Sequence, residues 1–285
     1  MSMNSGCLKL LAKNDRGESL SSAEKASILK DLRKTKLRRP DVVLRFGDES
    51  LGRRPNLIEE LNLLEQISLA AMDLGEAGTL EKHMEKLSKR FPVQSSCRMD
   101  RLRGMKLESE GKFQEALDIY TEVLKKNPAN MLVMKRIACV YRQQGNLEKA
   151  VQELHKILKL FSSDHTTWLE LSEIHLGRCE YLEAAHCLEE LVLLDPECAH
   201  FHARLADVYY SIGGQEHLLS ARRHYTLSLN RQSAKVNLRA LYGLMAACRA
   251  LSLLGDLDQF QKDLTKSLRD FAREQAGELS GVVKL

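Results

Sequence analysis

The stretch Trp168-Leu169-Glu170-Leu171-Ser172-Glu173-Ile174-His175, followed by Ala184 and then Pro196, decides the reading of this chain. It places an aromatic residue and a small residue on one helical pattern, a second small residue on the next, and a proline where that next pattern stops. Working outward, Pro92, Pro128 and Pro196 each close one apolar helical pattern and precede another. Their spacings sit near one and two units of about 34 residues. At that period the sequence divides into 61–94, 97–130, 131–164, 165–198, 199–235 and 236–255 onward.

The columns then align. Ser68, Gly104, Ala138, Ser172, Ala206 and Gly243 fall in the middle of each first helix, and Ala116, Ala150, Ala184 and Ala221 in each second helix. Gly75, Gly111, Gly145 and Gly213 occupy the turns, with Cys179 in the corresponding slot. Glycine ends the first helix by adopting positive φ. Small residues let the two helices cross closely, so Gly104 is expected against Ala116 and Ala138 against Ala150; bulk there overpacks the crossing. Extra residues fall at Gln94-Ser95-Ser96 and at Gly214-Gln215-Glu216-His217, the latter expected to lengthen the turn before Ala221.

Ahead of the repeats, 1–18 reads as a flexible tail and 19–60 as a basic segment with helices near 21–36 and 40–50, parted by Arg38-Arg39-Pro40. At the other end, 256–285 reads as a capping helix and tail. Leu257, Phe260, Leu264, Leu268 and Phe271 are expected on its covered side.

The chain has 285 residues, 5 Pro, 16 Gly and 5% aromatics, which excludes collagen-like and Gly/Pro-rich classes. Its longest run free of Asp, Glu, Lys and Arg, Ala240 to Cys248, is far short of the ~20 apolar residues of a membrane-spanning helix. The opening residues offer no secretory apolar region. The 7 cysteines are scattered without a C-x-x-C, the usage of a reduced, cytosolic protein. Net charge is +4, and the segment Lys30 to Arg54 is more basic than the chain as a whole. Such a cluster meets anionic lipid, nucleic acid or an acidic partner, or is a solvated helix face. It has no interleaved aromatics, which speaks against single-stranded nucleic acid.

Chemistry is sparse. Hydrolase, zinc-protease and calcium-loop motifs are missing. Gly104 to Gly111-Lys112 has the wrong spacing for a phosphate loop. His200 and His202, two apart on a helix, point to opposite sides and cannot share an ion. No catalytic residue, cofactor or metal site is expected.

The columns resemble the tetratricopeptide pattern. The resemblance implies an all-α, right-handed superhelix, an α-solenoid of antiparallel helix pairs, with the first helix of each pair lining a concave groove. Candidate groove residues are Arg98, Arg101, Met105, Lys135, Cys139, Arg142, Leu169, Glu173, Ala203, Asp207 and Tyr210, basic early and acidic late. Lys135 takes the place of a carboxylate-clamp lysine, but Cys139 replaces the clamp's asparagine, which argues against a chaperone C-terminal tail.

A narrower resemblance rests on Leu64-Glu65-Gln66-Ile67-Ser68-Leu69-Ala70-Ala71-Met72-Asp73-Leu74-Gly75, on Ala116-Leu117-Asp118-Ile119-Tyr120 with Asn127-Pro128, and on Tyr181-Leu182-Glu183-Ala184-Ala185-His186-Cys187. Gly213-Gly214 ahead of Leu219-Ser220-Ala221-Arg222-Arg223-His224-Tyr225, and Arg239-Ala240-Leu241-Tyr242-Gly243-Leu244, extend it. Together they resemble the family of subunit 2 of the endoplasmic reticulum membrane protein complex over about 20–250. The resemblance implies a non-catalytic scaffold on the cytosolic face of the endoplasmic reticulum, in a complex inserting tail-anchored and multi-pass proteins. The implied partners are other subunits, including the cytosolic tails of membrane-embedded ones and a soluble subunit 8/9-type protein. Nucleic acid is not expected, and membrane contact is peripheral or through partners. The other reading is a free tetratricopeptide adaptor in a chaperone or RNA-processing assembly.

Overall fold

A computed structural model describes residues 5–53, 55–91, 96–231, 237–254 and 257–282, with side chains for all of these except 5–8 and 277–282. Pro92, Gln94, Ser95 and Asp256 lie outside the described residues. Among the described residues there are helices and no strands. They are α1 (Ser5–Asp15), α2 (Ser22–Thr35), α3 (Pro40–Gly52), α4 (Leu57–Leu74), α5 (Ala77–Arg90), α6 (Cys97–Ser109), α7 (Phe113–Lys126), α8 (Met131–Gln143), α9 (Leu147–Leu160), α10 (His165–Gly177), α11 (Tyr181–Leu194), α12 (Ala199–Ile212), α13 (Gly214–Asn230), α14 (Leu238–Leu254) and α15 (Gln259–Val282). The starts of α6, α8, α10 and α12 follow the repeat period.

Local chemistry sets these bounds. Asn130, Asn146 and Asp164 each cap a helix by accepting the backbone N–H three residues on, Asp164 from Thr167 at 2.9 Å. Gly75, Gly111, Gly145 and Gly213 all have φ between 72° and 76°, so the turns need the left-handed region. Cys179 reaches the same region at φ 58° despite its side chain.

The chain gathers into two compact units, Met1–Gln144 and Gly145–Leu285. The division falls inside the third predicted repeat. In the first unit α4 packs on α5 and α6 on α7, with α2 and α3 stacked before them. Ile28, Leu29 and Leu32 of α2 meet Val42, Val43 and Phe46 of α3 and Leu63 and Ile67 of α4. In the second unit α10 pairs with α11, α12 with α13 and α14 with α15. Ala184, Leu188 and Leu191 share a core with Phe201, Leu205 and Val208, and Trp168 lies against its edge.

Four local expectations change. Where a flexible tail is expected over 1–18, α1 folds onto the first core, because Leu11 is buried among its leucines. The atoms nearest a side chain at Gly104 belong to the Tyr120 ring, not to Ala116; the glycine makes room for an aromatic. The extra residues after Gly213 do not lengthen a turn. They extend α13 to 17 residues against 14 in α11, since Gln215, Glu216 and His217 continue the helix and Glu216 favours its N-terminal end. On α15 the covered side is Thr265 and Ala272 with Leu268 and Ala276, while Phe260 and Phe271 are exposed. Thr265 turns inward because it accepts a hydrogen bond from Arg222, 2.6 Å away.

Candidate interaction surface

The predicted groove residues all lie on the first helices α6, α8, α10 and α12. On α6, Arg98 and Arg101 both turn toward Glu65 of α4, Arg101 at 3.6 Å, and Arg98 also donates to Asn62. With Cys97, Asn130 and Leu132 they line a hollow of about 340 Å³. On α8, Lys135 and Cys139 are half-buried and Arg142 is exposed.

In the second unit Glu173 of α10 is exposed, and Asp207 of α12 is half-buried. Both line a hollow of about 410 Å³ together with His200, Arg204, Ser211 and Arg239. Arg204 lies 3.4 Å from Glu173, and Arg239 Nε 2.6 Å from Asp207 Oδ2 without hydrogen-bond alignment. The expected acid character there is thus offset by two arginines that sequence reasoning passed over. Tyr210 is exposed, whereas Ala203 is buried among the packed helices and does not face a groove.

An acid on one first helix and an arginine on the next recur as a pair. Glu65 takes Arg98, Glu173 takes Arg204 and Asp207 takes Arg239; Glu108 of α6 takes Arg136 of α8, with Nε at 3.0 Å. Two of these acids also hold a buried tyrosine. Tyr120 donates to Glu108, and Tyr225 donates to Asp207 at 2.7 Å. Burial, then the hydrogen bond to the acid, push both phenols well above the usual tyrosine range. The rings are accommodated by glycines: Tyr120 by Gly104, and Tyr225 by Gly243 of the following first helix. The spacing of arginines about one repeat after acids was the available signal.

Histidines form a second cluster. His202 is buried, its Nδ1 2.9 Å from His224 Nδ1 and its Nε2 2.9 Å from the Pro196 carbonyl, with Arg231 Nη1 2.8 Å from Nε2. His200 is exposed, on the other side of α12. Among the described residues no three His, Cys, Asp or Glu are grouped to hold a metal ion. The structural positions serve packing: Ala116, Ala138, Ala150, Ala184 and Ala221 are all buried, and Pro128 and Pro196 stand exposed between helices.

A family model described as an EMC2 TPR-like repeat domain matches residues 91–220. "ER membrane protein complex subunit 2-A" of Xenopus laevis is 31% identical over 218 residues, covering 76% of this chain and 72% of that protein. "ER membrane protein complex subunit 2" of Dictyostelium discoideum is 34% identical over 208 residues, covering 72% of this chain and 64% of that one. The crystal structure of the C-terminal part of a TPR repeat-containing protein from Cytophaga hutchinsonii superposes with a TM-score of 0.50 at 15% identity, covering 92% of this chain and 98% of that one, a likeness of fold alone. Helix bounds, turn glycines and small-residue columns agree with these similarities: the fold is the tetratricopeptide α-solenoid, and the chain belongs to the ER membrane protein complex subunit 2 family.

Proposed function

We propose that this chain is a non-catalytic scaffold subunit of an endoplasmic reticulum membrane protein complex, held at the cytosolic face of the membrane. The observation that carries the proposal is the similarity to subunit 2 proteins over three quarters of the chain. The repeat array 61–255 is the binding body in this reading. The segment 19–60 and the helix within 256–285 flank it. Arg98, Arg101, Lys135, Arg142, Glu173, Asp207 and Tyr210 meet the cytosolic tails of membrane-embedded subunits, and a soluble subunit 8/9-type partner docks beside them. The mixed charge of the two hollows supports an extended or helical peptide with charges of both signs. No helix among the described residues is long and apolar enough to cross a membrane, in keeping with attachment through partners.

Affinity purification of the chain in mild detergent, with the co-purifying proteins identified by mass spectrometry, tests the proposal. Recovery of membrane-embedded subunits in stable amounts is expected. Recovery of soluble chaperones or RNA-processing factors alone would replace it with the adaptor reading.

A further inference from the structure

An open groove of about 620 Å³ lies between the α2–α3 corner and α4, in the first unit. Its walls hold more cations than acids. All three acids are engaged: Glu59 by Arg33, Asp73 by Arg38 at 2.9 Å, and Glu65 by Arg98. Arg39 is shared between Asp15 and Asp41 at 2.9 and 3.0 Å. Lys30, Lys34 and Lys36 remain, all exposed and with no ion pair among the described residues. Asp31, on the same helix, does not line the groove.

The dipole of α2 accounts for part of this charge. Arg33 and Lys34 sit in its last turn, where cations are favoured. Lys30 stands a turn earlier, and Lys36 lies past the helix in the left-handed region at φ 56°. Next to Lys36 is Leu37, 46% exposed and flanked on its other side by Arg38. Compact ammonium charges around an exposed leucine suit an anionic layer with an apolar layer beneath it. A carboxylate-rich peptide would be held best by guanidinium forks, and four of the groove's arginines, 33, 38, 39 and 98, are already paired with acids.

We infer that this corner docks on anionic phospholipid head groups. Lys30, Lys34 and Lys36 meet the phosphates, and Leu37 enters the acyl boundary. The inference rests on the membrane-side location proposed above.

Co-sedimentation of the purified full chain with phosphatidylcholine vesicles carrying about 20% phosphatidylinositol tests it. Capture is expected, weakening with added salt. The triple variant K30E/K34E/K36E should lose at least about tenfold in apparent affinity, and K30Q/K34Q/K36Q should lose less in the same direction. Leu37→Ser should weaken capture severalfold without changing its salt dependence. Circular dichroism melting confirms that each variant is folded. A control with equal charge change elsewhere, K125E/K156E/K159E, should retain capture. Equal capture by pure phosphatidylcholine, unchanged capture by the charge-reversed variant, or equal loss in the control overturns the inference. So does binding of polyglutamate or inorganic phosphate with no capture of vesicles. The charge-reversed chain is expected to keep its co-purifying subunits, so lipid binding and complex membership are read separately.

Discussion

A methyl group added at Gly104 would overlap the ring of Tyr120, whose hydroxyl is tied to Glu108. The ring is fully buried and cannot swing aside without breaking that bond. Gly104→Ala is therefore expected to destabilise the chain by about 1–3 kcal/mol in urea unfolding. The same change in a Tyr120→Leu background should cost less, which a double-mutant cycle would read as coupling. Gly78, with nothing within 4 Å of an added methyl, is the matched control and should tolerate alanine. His224 offers a second single-residue test. Burial first, and then His202 beside it, push its pKa down to about 4. Arg223 and Arg231 act in the same direction, and Glu189 opposes them. The unfolded chain takes up the proton near pH 6.5 while the folded chain resists it, so acidification between those values favours unfolding. Stability from this group is complete above about pH 6.5 and falls by about 2–3 kcal/mol toward pH 4. His224→Phe keeps a ring against His202 and should flatten that part of the pH–stability profile; an unchanged slope would remove His224 as its source.

Between elements, the acid–arginine pairs do not contribute equally. Tyr225 is almost wholly buried and its hydroxyl depends on Asp207. Asp207→Ala strands that hydroxyl and is expected to cost about 1–3 kcal/mol. Arg239 has a side chain 74% exposed, so Arg239→Ala should cost less than about 1 kcal/mol by the same unfolding measurement. Equal losses would mean that the ion pair, not the tyrosine, links α12 to α14. At the α10–α11 turn, Cys179 holds a positive φ that its neighbours in the pattern give to glycine. Cys179→Gly is expected to stabilise the chain by about 0.5–1 kcal/mol. Element boundaries were legible because caps, turn glycines and small-residue columns act within a few residues of where they stand. The glycine–tyrosine contacts were not, since Gly104 meets a ring from its own repeat and Gly243 one from the repeat before. That choice is made by packing between helices, which a column of small residues does not specify. The same holds for α15: of the expected covered residues, Leu257 just ahead of it is buried and Leu264 and Leu268 are half-buried, but Arg222 draws Thr265 inward and Phe260 and Phe271 face outward.

At the scale of the whole molecule, the repeat and the family were readable from sequence, while the charge of the candidate surface was only half readable. Within the fold, Glu65, Arg204 and Arg239 answer Arg98, Glu173 and Asp207 from neighbouring helices. A partner that uses Arg98 must compete with Glu65, so Arg98→Glu disturbs a link inside the first unit as well as any partner. A second test lies on α8. Reversing Lys135 and Arg142 together places negative charge on a first helix while leaving its apolar side, Val133, Ile137 and Val140, untouched. If these cations hold acidic partner tails, the double variant should recover severalfold less of the membrane-embedded subunits from detergent extracts, because like charges at a contact are repelled and partner retention falls. Helicity by circular dichroism should match the parent chain. Full recovery at full helicity would move the partner contact off α8, and the hollow at Arg98 and Arg101 would become the next surface to reverse.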